Sequence, residues 1–240
     1  MSVLAKLAAV GRMFGFDPVR GVRTLGALPT YFRDRRRLKG QLTGDLAGSW
    51  PMGKWYPCLT DRYENSGTAS GAYFFQDLTV ARRIFEAKPR NHVDIGSRID
   101  GFVAHVASFR PVEVLDIRQQ DGKVPNMTLG VADIMDEAKT PAGYTDSLSC
   151  LHCIEHFGLG RYGDPIDVGG HIKAIRSFHK LLQPGGTLYL GTPIGPQRIE
   201  FNGQRVFGVD HLVRILEEYF DITRVSYIDD AGRLHENIPN

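Results

Sequence analysis

The chain has 240 residues, of which 42% are hydrophobic and 23% charged, as expected for one soluble α/β domain with additions. Its three cysteines cannot form a disulfide framework, and an odd count is typical of a reducing cytosol. No run reaches the ~18 consecutive apolar residues of a membrane-spanning helix, and the apolar stretch 3–10 is too short for a signal peptide. These features predict a soluble, cytoplasmic protein.

The formal net charge of +2 is unevenly distributed along the chain. Residues 1–40 contain nine Lys and Arg against two Asp, which gives +7, so the remaining 200 residues sum to −5. A basic segment on an acidic body favours an anionic partner such as an acidic glycan, an anionic lipid or a nucleic acid. Attachment of this segment to a membrane surface is one interpretation, and an amphipathic arm with solvated charges is the other.

The first 90 residues are predicted to be helical at both ends and loop-like between. Apolar spacing predicts helices over 2–14 and from Pro18 to Leu28, and Pro29 is expected to break the chain. Residues 44–72 are rich in Gly, Pro, Ser and Thr with scattered aromatic residues, which predicts a long functional loop. A helix over 72–87 follows.

From residue 91 onward, short apolar strands alternate with helices. The predicted strands are 92–95, 112–117, 127–131, 144–151, 187–192, 222–228 and 233–238, and the predicted helices are 99–109, 171–182 and 210–219. This alternation predicts an α/β, Rossmann-like fold with a mostly parallel seven-stranded sheet. The last two strands, joined by a short polar turn, predict a C-terminal antiparallel hairpin.

The first of these strands leads into a glycine turn. Asp94, Gly96, Ser97 and Gly101 place small residues where a backbone must turn tightly beneath a ligand, and Asp116 ends the next strand, where an acid can bind ribose hydroxyls. Arg98 replaces the glycine that would approach a pyrophosphate. The turn therefore favours a ligand that has a ribose and no pyrophosphate.

Two further motifs follow in order, Gly130-Val131-Ala132-Asp133 and Leu182-Gln183-Pro184-Gly185-Gly186. With the first turn and Asp116, they make residues 91–240 resemble the class I S-adenosylmethionine-dependent methyltransferases. The resemblance implies S-adenosylmethionine as the cofactor, with the methionine part at the first turn and the ribose at the end of the second strand. It implies cofactor-binding roles for Asp94, Gly96, Ser97, Gly101, Asp116, Ile117, Asp133, Ile134, Leu151 and His152.

The run His152–Asp167 is similar to a family of uncharacterised methyltransferase-like proteins known only as a domain of unknown function. Within it, His152, Glu155 and His156 are predicted to be catalytic, and three interpretations stay open. They provide a general base for a hydroxyl acceptor, they bind a divalent metal, or they shape the pocket as a hydrogen-bonded cluster. In the metal interpretation His211 would be an extra ligand, by similarity to small-RNA methyltransferases. No metal is predicted.

Arg161, Tyr162, Asp164 and Arg198 are the candidate substrate-binding residues. The preferred function is methyl transfer to an oxygen of a polar acceptor, a sugar hydroxyl of a glycan or lipid-linked saccharide. The alternatives are a nucleotide-binding module without catalysis, and a metal-dependent methyltransferase acting on RNA or a small molecule. Nucleic acid is disfavoured because the body is acidic. We expect residues 1–43 to form a basic helical arm, 44–90 to cover the active site and 91–240 to form the methyltransferase domain.

Overall fold

The structure is a computed structural model that describes residues 11, 15 and 17–238. It divides the chain into two compact units, of which the first ends at Thr68 and the second begins at Ala69. The helix expected over 2–14 lies outside the described residues. Within residues 17–238, no helix is both long enough and apolar enough to cross a membrane.

The first unit contains α1 (Pro18–Gln41), α2 (Asp45–Ser49) and a 3-10 turn (Asp61–Tyr63). The expected break at Pro29 is wrong, because α1 continues through it. A proline inside a helix removes one backbone hydrogen bond and crowds the carbonyl four residues before it, but the Arg-rich segment after Pro29 has high helix propensity, which favours continuation of the helix. The stretch 44–72 is also more ordered than expected, since it contains α2 and the 3-10 turn.

The second unit contains the expected alternation of strands and helices. Its helices are α3 (Ala72–Ala87), α4 (Ala104–Ala107), α5 (Gly170–Leu181) and α6 (Val209–Glu217). Its strands are β1 (Val93–Ile95), β2 (Val112–Asp116), β3 (Met127–Val131), β4 (Thr145–Leu151), β5 (Leu182–Gly191), β6 (Arg198–Glu200), β7 (Gln204–Val206), β8 (Val225–Ile228) and β9 (Leu234–Ile238). A π-helical turn (Ile99–Val103) and a 3-10 turn (Ile154–His156) complete the described elements.

The central sheet is parallel, with strand order β3-β2-β1-β4-β5. The expected parallel sheet and the C-terminal hairpin β8–β9 are confirmed, but the sheet has five strands, so the expectation of seven is wrong. The last two strands pair with each other across a short turn and form a separate sheet, because tertiary packing, which the alternating pattern does not encode, decides whether a hairpin joins the central sheet. A second hairpin, β6–β7, was not expected.

Helices pack on both faces of the sheet. Adjacent residues of β4 point to opposite faces, with Cys150 in a cluster that contains Phe178 of α5, and Leu151 in a cluster that contains Ile84 of α3. All three residues of β1 are buried, as expected for a central strand of a parallel sheet. The reversal of strand order between β1 and β4 is where open α/β sheets bind ligands.

The helix expected over 99–109 is divided into the π-helical turn and α4. The irregularity lies at Gly101, whose φ of −122° and ψ of −107° are not helical. A Cβ at this position would lie 2.8 Å from Oδ2 of Asp77, a buried residue of α3. Gly101 therefore makes room for α3 beside the glycine turn.

Candidate active site

A pocket opens at the carboxyl ends of β1 and β2. It brings together eight of the predicted site residues, which are Gly96, Asp116, Ile117, Asp133, Ile134, His156, Tyr162 and Asp164. It also includes residues for which the sequence analysis gave no role, namely Arg118, Met135, Cys153 and Phe157. The other predicted residues lie outside its lining, namely Asp94, Ser97, Gly101, Leu151, His152, Glu155, Arg161 and Arg198.

Asp94 supports the glycine turn from beneath. Its carboxylate is fully buried and accepts hydrogen bonds from Ser97 N at 3.0 Å, Ser97 Oγ at 2.7 Å and Ser149 Oγ at 2.5 Å. Burial raises its pKa to about 6, although the serine hydrogen bonds act in the other direction. The Ser97 hydroxyl also accepts a hydrogen bond from Leu151 N at 3.2 Å, which joins the turn to the end of β4.

Gly96 forms the floor of the pocket at the end of β1. Its φ of +66° is a left-handed conformation that favours glycine, and a Cβ there would lie 2.3 Å from Cys153 Sγ. The backbone of the turn therefore lies directly against the loop that follows β4. Cys153 and Cys150 are both buried.

Asp116 ends β2 with its side chain almost fully buried. Arg118 Nε donates to Oδ1 at 2.9 Å and Arg118 Nη2 to Oδ2 at 2.7 Å, and the Arg118 backbone N also donates to Oδ1. Burial alone would raise the pKa of Asp116, but the hydrogen bonds from Arg118 outweigh it, and the net shift is downward. Asp116 is therefore ionised. Among the described residues, the buried Gln120 Oε1 close to it has no hydrogen-bond partner.

The wall beyond β3 combines one acid with apolar side chains. Asp133 Oδ1 accepts a hydrogen bond from Met135 N at 2.9 Å, which closes a tight turn. Ile134 and Met135 are buried and face the pocket. An apolar wall beside polar backbone groups suits a flat heteroaromatic ring.

His152, Glu155 and His156 come together after β4. Glu155 is 1% exposed, and its Oε1 lies 3.3 Å from His152 Nδ1 and 3.8 Å from His156 Nε2. Its Oε2 accepts a hydrogen bond from Thr192 Oγ1 at 3.3 Å. A buried carboxylate between two imidazoles stabilises the protonated form of either ring.

His156 has a defined tautomer. Its Nδ1 lies 2.7 Å from the carbonyl oxygen of Gly203, and because a carbonyl only accepts, Nδ1 carries the hydrogen and Nε2 keeps its lone pair in the neutral ring. Burial lowers the pKa of His156, and the negative charge of Glu155 opposes this shift. His156 is therefore neutral near pH 7, and it is one of the residues that line the pocket.

His152 has a strained backbone and a different environment. Its φ is +51°, a left-handed conformation that is rare for a residue with a side chain and is often found at functional sites. Its ring packs 4.4 Å from the ring of Tyr73, which is the start of α3. Contacts with Tyr73 and Glu155 therefore fix the position of the His152 ring.

The metal interpretation finds no support in the geometry. No three His, Cys, Asp or Glu side chains in residues 17–238 are placed to hold a metal ion. His211, the expected extra ligand, lies instead beside His171 and Arg214.

The loop after His156 is held by two buried charged residues. The Asp164 carboxylate accepts backbone hydrogen bonds from Gly158 and Gly160 through Oδ2 and from Tyr162 through Oδ1. Arg205 of β7 is 4% exposed and donates to the backbone carbonyls of Phe157, Asp167 and Val168. Asp164 therefore shapes the loop.

The remaining predicted substrate residues have different positions. The Tyr162 ring stands edge-on to His156, with ring centroids 5.5 Å apart. Arg161 donates from Nη1 to the Gly203 carbonyl at 2.8 Å and lies 5.4 Å from the Tyr162 ring centroid. Arg198 is paired with Glu200 on the exposed hairpin β6–β7.

Sequence reasoning missed three contacts of this site. Arg118 lies two residues after Asp116, the acid predicted to bind ribose hydroxyls, and this short spacing is compatible with an ion pair. Tyr73 gave no signal, because it reaches the site from α3, which is distant in sequence. Arg205 lies in the segment 193–207, which the sequence suggested as an opposite wall of the site, but its contacts with backbone carbonyls were not expected.

Solved structures with similar folds are methyltransferases. A 1,6-didemethyltoxoflavin-N1-methyltransferase from Burkholderia thailandensis, solved with S-adenosylhomocysteine, is 14% identical with a TM-score of 0.50, covering 67% of this chain and 75% of that one. Phosphoethanolamine N-methyltransferase 2 from Haemonchus contortus is 17% identical with a TM-score of 0.48, covering 68% and 41%. An O-methyltransferase family protein from Burkholderia thailandensis is 13% identical with a TM-score of 0.45, covering 67% and 56%.

This chain thus spans less than half of the Haemonchus protein and just over half of the last one. The first of these likenesses confirms the expected class I S-adenosylmethionine-dependent methyltransferase fold. No curated protein matches the chain. A family model described as "Caenorhabditis protein of unknown function, DUF268" matches residues 106–230, just over half of the chain. The chain therefore belongs to the DUF268 family and has the fold of the class I methyltransferases.

Proposed function

We propose that this protein is an S-adenosylmethionine-dependent O-methyltransferase that acts on a hydroxyl of a polar acceptor, for which a sugar is our preferred class. One observation carries the proposal. The same pocket is lined by Gly96 of the glycine turn, by Asp116, the expected ribose-binding acid, and by His156, whose neutral ring keeps a basic Nε2.

The residues present fit the cofactor. Gly96 leaves its pocket-side backbone uncovered, and any Cβ there would collide with Cys153. Asp116 offers acceptors for ribose hydroxyls, and the apolar wall at Ile134 suits an adenine ring. When bound, S-adenosylmethionine supplies an electrophilic methyl group.

Other predicted residues support this cofactor site without lining it. Asp94 and Ser97 hold the turn in shape, and Ser97 ties it to Leu151 at the end of β4. Gly101 admits Asp77 of α3 beneath the same turn. We assign these residues to positioning the backbone that contacts the methionine part, since preorganised binding groups need rigid support.

His156 is the general base of the proposed reaction. Its Nε2 accepts the proton of the acceptor hydroxyl, which makes the oxygen a better nucleophile. The Gly203 carbonyl fixes the ring through Nδ1, and the Glu155 carboxylate, 3.8 Å from Nε2, stabilises the imidazolium that forms. His152 and Thr192 hold Glu155 in place. This arrangement favours a hydroxyl acceptor, because an amine can lose its proton after methylation and needs a base less.

Two separate features support a sugar as the acceptor class: the rim of the pocket, and aromatic residues that the first unit exposes. Tyr162 and Arg161 provide an aromatic face and hydrogen-bond donors beside His156. The first unit exposes Trp50, Trp55 and Tyr56, whose rings are suited to stacking on sugars.

A lipid-linked saccharide would place the enzyme at a membrane, and the surface of α1 fits an anionic bilayer. Val22, Leu25 and Phe32 lie on one helical face and are 72%, 66% and 50% exposed. Arg33, Arg36 and neighbouring basic residues continue the same helix. We propose peripheral membrane contact through residues 1–40. Flotation with vesicles of phosphatidylglycerol tests this, and a variant that lacks residues 1–40 and floats as well as the full chain would contradict it.

Titration calorimetry with S-adenosylhomocysteine, followed by turnover assays with a panel of hydroxylated acceptors, tests the enzymatic proposal. We expect binding by the full chain, its loss in Asp116→Ala, and wild-type affinity in Asp121→Asn, an exposed acid nearby. Mass spectrometry then locates the methyl group on the acceptor oxygen. Absence of binding at millimolar ligand would overturn the proposal. Binding without turnover of any acceptor would favour a non-catalytic nucleotide-binding module.

A further inference from the structure

Arg118 contacts both the cofactor part and the acceptor part of the pocket. Its guanidinium makes a two-pronged hydrogen bond to Asp116, and its Cζ lies 4.2 Å from the centroid of the Tyr162 ring. The side chain of Asp116 is 5% exposed and that of Arg118 is 48% exposed. Arg118 therefore spans from a buried acid to the open rim.

The Asp116 carboxylate has two competing uses. Both of its oxygens accept hydrogen bonds from Arg118, whereas a ribose at this position needs the same two oxygens for its hydroxyls. The Asp116 carboxylate has about four acceptor positions, and three hydrogen bonds from Arg118 and one from Gln120 already use them. Binding of a ribose must loosen the contact with Arg118.

The rim to which Arg118 would turn is rich in positive charge. Arg161 lies 5.4 Å from the same Tyr162 ring, and among the described residues it forms no ion pair. The nearby Asp164 is already engaged by three backbone N–H groups. A released Arg118 would thus add a second guanidinium to a rim that lacks a free acid.

We propose that Arg118 couples the two halves of the site: ribose hydroxyls displace it from Asp116, and the freed guanidinium, with Arg161, binds an anionic group of the acceptor. The acceptor would then be a hydroxylated molecule with a carboxylate or a phosphate, such as an acidic sugar. The inference rests on the proposed function and adds to it the charge of the substrate and an order of binding. Guanidinium groups favour both anions, because their planar fork matches carboxylate and phosphate oxygens.

Calorimetry on the full chain tests the competition. Arg118→Ala should bind S-adenosylhomocysteine about fivefold more tightly than wild type, the gain expected when a partly exposed ion pair no longer competes. Raising the salt concentration should tighten binding to wild type and leave Arg118→Ala unchanged, since salt weakens the ion pair. Arg233→Ala, which removes an exposed ion pair with Asp229 on the C-terminal hairpin, is the charge-matched control and should behave as wild type.

A second titration tests the acceptor charge with glucose, glucuronate and glucose 1-phosphate as probes, each with saturating S-adenosylhomocysteine. Wild type should bind an anionic probe at least tenfold more tightly than glucose, and Arg118→Ala should lose this preference. The two anionic arms distinguish a carboxylate from a phosphate. Unchanged or weaker S-adenosylhomocysteine binding by Arg118→Ala, or equal affinity of wild type for the three probes, would overturn the inference. Failure of wild type itself to bind S-adenosylhomocysteine would instead overturn the proposed function.

Discussion

Cys153 Sγ lies 2.3 Å from the point that a Cβ on Gly96 would occupy. This contact joins the turn after β1 to the loop after β4, the two segments that form the pocket floor and the base of the catalytic cluster. Gly96 is thus constrained twice, by its φ of +66° and by the sulfur atom beside it. The two constraints can be separated, because only one of them depends on Cys153.

Gly96→Ala should lower the affinity for S-adenosylhomocysteine more than tenfold, because the added methyl must displace Cys153 and the backbone is strained by ~1–3 kcal/mol. Gly96→Ala combined with Cys153→Ala should recover part of the loss, since the clash is removed and the strain stays. Calorimetry on both variants and on Cys153→Ala alone measures this. Equal loss in the single and double variants would show that the sulfur contact is irrelevant.

His156→Ala should lower kcat by about 10²- to 10⁴-fold, the usual contribution of a general base, with little change in S-adenosylhomocysteine affinity. His105→Ala removes an exposed histidine of α4 and should keep wild-type turnover. Steady-state kinetics with the acceptor found in the panel, together with calorimetry, separates the two effects. Full activity in His156→Ala would leave the histidine cluster with a structural role alone.

The pH dependence of turnover should follow His156. Burial lowers its pKa below the ordinary 6.5, the negative charge of Glu155 raises it, and Arg161 and His152 lower it. A base acts in its neutral form, so kcat/KM should rise with pH with a midpoint below pH 6.5 and then level off. Glu155→Gln removes the negative charge that raises the pKa of His156, so the rise of kcat/KM with pH (the acidic limb of the profile) should move to lower pH. A limb that moves to higher pH in Glu155→Gln would contradict the assignment.

The fold was predictable where local chemistry decides it. The apolar strands, the turn at Gly96 and the acid at Asp116 can each be predicted from a few neighbouring residues. The structure confirms the parallel sheet and places Gly96 and Asp116 at the carboxyl ends of its strands. The strand count was not predictable. Whether β8 and β9 pair with each other or extend the sheet depends on tertiary packing, and both arrangements fit the same alternating pattern.

The site was predictable to a smaller extent. His152, Glu155 and His156 were predicted to act together, and the structure brings the two imidazoles around the Glu155 carboxylate through a 3-10 turn. Arg205 was not predictable, because an arginine in a polar segment is ordinarily exposed and its burial depends on three distant carbonyls.

Asp94 should make stability depend on pH. Its pKa is about 6 in the folded protein against 3.8 ordinarily, so protonation favours folding. This contribution, at most about 3 kcal/mol, is fully present at low pH and is lost as pH rises through about 6. Asp94→Asn mimics the protonated form, so the free energy of unfolding of wild type minus that of Asp94→Asn should fall as pH rises from the unfolded pKa of 3.8 to the folded pKa of about 6, and should be flat above this range. Denaturant unfolding of both proteins at several pH values measures this difference. A difference that does not change with pH would contradict the raised pKa of the buried Asp94 carboxylate.

Arg205→Met should destabilise the second unit although it removes no ion pair. The guanidinium is the partner of three backbone carbonyls on the loop that contains Asp164 and Tyr162, and methionine leaves them without a donor while keeping most of the volume. Lost hydrogen bonds from a buried charged group cost on the order of 2–4 kcal/mol in the free energy of unfolding. Arg224→Met, an exposed arginine, should change it by less than about 0.5 kcal/mol. Chemical denaturation of the two variants and wild type gives the comparison.

The same loop positions Tyr162 beside His156, so the fraction of Arg205→Met that stays folded should also lose turnover. A stable, fully active variant would show that the three carbonyls find other partners.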